Sequence, residues 1–69
     1  MNTAKLTTVS EDKKTGKMEI TRTGKIEKFH NIFLTTIKEG DICEYKTITG
    51  NDDDDEEITI HILTKKIPT

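Results

Sequence analysis

Residues 17–22, Lys17-Met18-Glu19-Ile20-Thr21-Arg22, alternate polar and apolar and put Met18 and Ile20 on one face, the period of a half-buried strand. Residues 4–9 read as a strand before it. Residues 11–16 between them are polar and end in Gly16, which suits the loop of an antiparallel hairpin. The period then changes. Ile26, Phe29, His30, Phe33, Leu34 and Ile37 gather in one arc at helical spacing, with Lys25, Glu27, Lys28, Asn31, Thr35 and Lys38 opposite. Thr23 is a candidate N-cap, and Gly40 follows Lys38 where a helix would end. The spacing predicts one helix over residues 24–39. Ile32, Thr35, Thr36 and Ile37 favour strands, so two short strands broken near Asn31 are the alternative.

Residues 42–49 again read as a strand. Gly50 and Asn51 open a loop, and Ile58, Ile60 and Ile62 define the expected buried face of a last strand. The expected fold is α+β: a small antiparallel sheet in the order β-β-α-β-β, with one helix packed across it. A small all-β barrel is the alternative. One domain is expected over residues 1–69, with a small core, because so short a chain buries only about 60% of its unfolded surface. Ten Ile and thirteen Thr among 69 residues weight the balance toward strands.

Charge changes the picture more than composition does. The net charge is only −2. Residues 1–38 nevertheless hold eight Lys/Arg against four Asp/Glu, and residues 39–69 hold three against nine. The acids are Glu39, Asp41, Glu44 and the run Asp52, Asp53, Asp54, Asp55, Glu56, Glu57. Such segregation points to interaction surfaces.

Catalytic chemistry finds little support in the sequence. Ser10 is the only serine, and Cys43, the only cysteine, sits in an expected strand where a thiol is usually a small buried hydrophobe. His30, His61 and Cys43 lack the close ligand pairs of a zinc site. The 51–57 run lacks the glycine and spacing of a calcium loop. There is no glycine-rich phosphate loop. The expectation is therefore a non-enzymatic protein without metal or cofactor. With one cysteine and no apolar run of signal or membrane length, a cytoplasmic location is expected.

Three binding readings follow. The acidic segment can act as a fixed anionic array, taken in place of DNA phosphates by a protein that grips them with Lys and Arg. Alternatively, Lys13, Lys14, Lys17, Arg22, Lys25 and Lys28 form a patch for nucleic acid, although aromatic stacking partners are missing from it. The third reading is an oligomerisation module in which opposite charges pair head to tail.

In its size, lone cysteine, Ile/Lys/Thr/Asp-rich composition and acidic 39–57 segment, the chain resembles the small acidic host-takeover proteins of large lytic phages, some of which mimic DNA. Inhibitors of the bacterial nucleoid protein HU are among them. The resemblance implies an inhibitor that occupies the DNA-binding surface of a basic, dimeric host protein in the bacterial cytoplasm. Asp52 to Glu57 would stand in for phosphates, supported by Glu39, Asp41 and Glu44.

Overall fold

The computed structural model describes residues 2–68. Five strands form: β1 (Thr3–Val9), β2 (Thr15–Ile20), β3 (Ile26–Asn31), β4 (Ile42–Asn51) and β5 (Glu57–Ile67). They close into a barrel in the order β1-β2-β3-β5-β4, with β1 also paired to β4. All pairings are antiparallel except β3 with β5, which run parallel through His30–Ile62 and Asn31–Leu63. This is the connectivity of the oligonucleotide/oligosaccharide-binding (OB) type of barrel.

The expected α+β fold is therefore corrected to the all-β alternative: no described residue is helical. Residues 26–31 are a strand. Phe29 and Asn31 face inward, and Ile26, Lys28 and His30 face outward. The helical arc is split, because Ile26 and Phe33 are more than half exposed while Phe29 and Ile37 are buried. Gly24 and Gly40 do lie at chain reversals, with φ of 72° and 93°, a conformation that glycine adopts without a Cβ clash. Thr23 caps no helix; its hydroxyl accepts the Lys25 N–H at 3.3 Å.

Every strand contributes to the core. Ala4 and Leu6 come from β1, Met18 from β2, Phe29 from β3, Cys43 from β4 and Leu63 from β5. Residues 32–41 carry no regular structure, but they bring Ile37 into the core and Leu34 against it. Asn31 organises that crossing. Its amide donates to the Lys13 carbonyl at 2.7 Å and the Leu34 carbonyl at 2.9 Å, and its oxygen accepts the Leu34 N–H at 3.0 Å. A buried polar residue so fully paired fixes two loops at once.

β4 and β5 outrun the barrel. β1 pairs with β4 only at residues 42–44, and β3 meets β5 only at residues 62 and 63. Beyond these, Thr47–Asn51 and Glu57–His61 pair only with each other. They form a two-stranded arm that gives the molecule its long axis of 41 Å. The expected buried face of the last strand is corrected here. Ile58 is 40% exposed and Ile60 is half-buried; of the three only Ile62 is buried, and Leu63, of opposite parity, enters the central cluster.

Candidate functional site

The acidic residues do not form one array. Asp41 is buried and structural: its Oδ2 accepts the Lys38 N–H at 3.0 Å and lies 3.3 Å from Lys66 Nζ. Its carbonyl accepts the Leu6 N–H, tying the segment to β1. Glu44 is half-buried opposite Lys65, and Glu39 is exposed in the turn before β4. Asp52 to Glu57 sit at the tip of the arm, all exposed. Eight residues of strand from Glu44 to Asp52 put the two groups roughly 25 Å apart. At the tip, Asp52 folds its own turn, its Oδ1 accepting the N–H groups of Asp54 and Glu56 at 3.0 and 2.9 Å. Asp55 takes a φ of 62°, and its carboxylate accepts from the Asn51 amide at 3.3 Å.

The basic residues are better placed. On the outer face of β2 and β3, Lys17 lies directly opposite Lys28 and Thr15 opposite His30. The same row continues across the sheet from His30 to Ile62 and on to Lys46. Lys46 Nζ lies 5.8 Å from the centroid of the Phe33 ring, which is itself 59% exposed. Lys13 and Lys14 sit in the β1–β2 loop at one end of this face; Arg22 and Lys25 sit in the β2–β3 turn at the other. All these cations are exposed. Glu19 is the one acid in the outward-facing β2–β3 rows, opposite Ile26.

The face borders two shallow clefts. Residues Thr8, Ser10, Gly16, Lys17, Lys28 and His30 line one of about 400 Å³. The other, of about 410 Å³, lies where the arm leaves the barrel and is lined by Lys17, Ile26, Glu27, Lys28, Thr59 and His61. Of its lining, His61 has Nε2 3.8 Å from Glu27 Oε2, and its Nδ1 lies 3.0 Å from Thr47 Oγ1. Tyr45 packs edge-on against the imidazole, with centroids 5.5 Å apart. Chemically the surface offers ammonium groups, hydrogen-bonding imidazole and hydroxyl groups, and one exposed ring. Ammonium groups of this kind can pair with phosphates, and an exposed ring can stack on a base.

Cys43 and His61 are not a catalytic pair. Cys43 is opposite Lys66 and His61 opposite Thr47, five residues apart along β5. Burial, with Asp41 beside it, raises the Cys43 thiol above its ordinary pKa, so thiolate is scarce at neutral pH. Among the described residues no group of three or more His, Cys, Asp or Glu is placed to hold a metal ion. No helix there is long and apolar enough to cross a membrane.

Lys46, Phe33, Tyr45, Thr47 and Glu27 are site residues that the sequence did not single out, and His61 stood there only as a zinc candidate. Hairpin register held the signal for Lys46: once β4 and β5 are folded about residues 52–56, Lys46 falls opposite Ile62. No family model, curated protein or solved structure matches the chain.

Proposed function

We propose that this barrel is a non-enzymatic nucleic-acid-binding module that takes a single strand across the outer face of β2 and β3. One observation carries the reading. Lys17 and Lys28 stand side by side on that face, between the Lys13–Lys14 loop and the Arg22–Lys25 turn, in a barrel of the connectivity that uses the β2–β3 face and the β1–β2 loop for oligonucleotides. Lys46 and Phe33 extend the surface with a further cation and a stacking ring. The cations neutralise phosphates and release counterions, so binding is salt-dependent and tolerant of sequence.

The test is fluorescence polarisation with labelled single-stranded DNA and RNA of mixed sequence at low salt. Binding should weaken with salt, and Lys17→Ala with Lys28→Ala should flatten the log–log slope by about 1.4, at about 0.7 per lost phosphate contact on a single strand. No binding at low salt, or an unchanged slope in the double variant, overturns the reading.

A second reading has its own observation. The six carboxylates of residues 52–57 are all exposed at the end of an arm that holds them off the barrel. This supports the use of the tip as a phosphate mimic against a basic DNA-binding protein such as an HU-like dimer. On this geometry Asp41 takes no part, and Glu39 and Glu44 contribute little. Salt-sensitive capture of such a protein, lost when Asp53, Asp54 and Glu56 are changed to their amides, supports it. Capture unchanged by those substitutions removes it.

A further inference from the structure

The outer face of the arm has a linear pattern of which the nucleic-acid reading uses only Lys46. Successive cross-strand rows are Lys46 with Ile62, Ile48 with Ile60, and Gly50 with Ile58, followed by the acidic turn. Ile48 and Ile58 are 44% and 40% exposed. The opposite face carries Thr47, Thr49 and Thr59. One side of an otherwise unsupported ribbon is therefore apolar. A two-stranded ribbon alone is marginal in water and gains stability when such a face is covered.

We propose that a second copy of this chain covers it, arm against arm, as an antiparallel two-fold dimer. The charge order is basic, apolar, acidic along one face, and an antiparallel two-fold makes that order self-complementary. Place the axis across the strands between the Ile48 and Gly50 rows. Each Ile48 then lies over the Gly50 of the other copy, each Ile58 meets an Ile60, and each Lys46 faces an Asp52. Gly50 is the hole in this packing: a Cβ built there meets nothing within 4 Å, so the monomer leaves the space open. A parallel arrangement would bring the two acidic tips together and is opposed by like charge. The two readings share only Lys46, and Gly50→Val, which lies outside the basic face, separates them.

The face is about 20 Å long and two strands wide, well below the roughly 800 Å² per partner of a stable interface. The dimer is accordingly weak. Sedimentation velocity of the whole chain from low micromolar to millimolar concentration, without nucleic acid, should show mass rising toward two copies at low salt and falling back at high salt. Gly50→Val fills the hole with a residue that suits a strand and meets open space in the monomer. It should keep or raise the melting temperature while abolishing association. Lys46→Glu should also give a monomer at low salt. A wild-type chain that stays monomeric at millimolar concentration, or a folded Gly50→Val chain that associates as wild type does, overturns the proposal.

Discussion

Asp41 separates a structural acid from an interaction acid. Its Oδ2 is the acceptor for the Lys38 N–H and the ion-pair partner of Lys66, and the side chain is buried where residues 32–41 join β4. Asp41→Ala removes a charge-assisted hydrogen bond worth about 1.5–3 kcal/mol. It also removes an ion pair whose Lys66 end is 41% exposed and therefore screened to well under about 1 kcal/mol. The expected loss is about 2 kcal/mol, from a total of roughly 3–10 kcal/mol for a domain of this size. That corresponds to a melting temperature lower by about 10 °C. Asp41→Asn keeps an oxygen for the Lys38 N–H and loses only the screened pair, so it should cost about 0.5 kcal/mol. Asp53→Ala and Asp54→Ala at the exposed tip should change stability by less than about 0.5 kcal/mol. Urea unfolding followed by circular dichroism measures all four. If Asp41→Ala unfolds at the same urea concentration as the tip variants, Asp41 is not the structural anchor described here.

Gly16→Ala should destabilise by about 2 kcal/mol or more, because its Cβ would fall against the Thr8 carbonyl oxygen and the Phe29 ring; a wild-type urea midpoint would refute this. Asn31→Ala leaves the Lys13 and Leu34 groups without their partner and should cost about 2–4 kcal/mol, with amide exchange in residues 32–37 quickening first; unchanged exchange there would count against Asn31 as the organiser of that segment. Because the folded Cys43 pKa is raised, its stabilising contribution is full below the unfolded value near 9.0 and is lost as pH rises through the folded value. Above about pH 9 stability should fall by up to about 1.4 kcal/mol per unit from this thiol, and Cys43→Ala should show a flatter decline; equal slopes would refute the assignment.

The sequence carried some of these relations and hid others for definable reasons. Met18 and Ile20 alternate with charged neighbours, and the structure turns both toward the core. Residues 24–39 misled because Phe29 and Ile37 fit a helical arc as well as an inward-facing position in the barrel. Asn31 counted as an outward polar residue, yet it is buried through hydrogen bonds that no polarity pattern shows. In β5 Ile62 and Leu63, of opposite parity, are both buried, so periodicity alone could not show that Leu63 is the one in the central cluster. Closure is nonlocal: β1 meets β4 and β3 meets β5 across long stretches of chain. The β2–β3 register sets Lys17 beside Lys28, and closure continues their face through His30 and Ile62 to Lys46. It also separates Asp41 from the acids with which charge counting had grouped it.

The acidic tip has a further consequence that follows from where the barrel stops. Closure leaves no free strand edge around the barrel. In the arm the outer edges of β4 and β5 lack neighbours again, because β1 and β3 reach only the barrel ends of those strands. These edges flank an apolar face and are rich in Ile and Thr, a composition that invites further strands to add on. Six carboxylates at the only loop of this ribbon repel such additions, while the weak antiparallel pairing inferred above offsets each tip against Lys46. Changing Asp53 and Asp54 to Asn and Glu56 to Gln, with Asp52 kept for its turn hydrogen bonds, should leave the urea midpoint within about 0.5 kcal/mol of wild type. The same variant should form large β-rich aggregates sooner under agitation, as measured by light scattering and thioflavin fluorescence. If the neutralised protein stays as soluble as wild type, edge protection is not the reason for the charge, and a basic partner becomes the stronger account of residues 52–57.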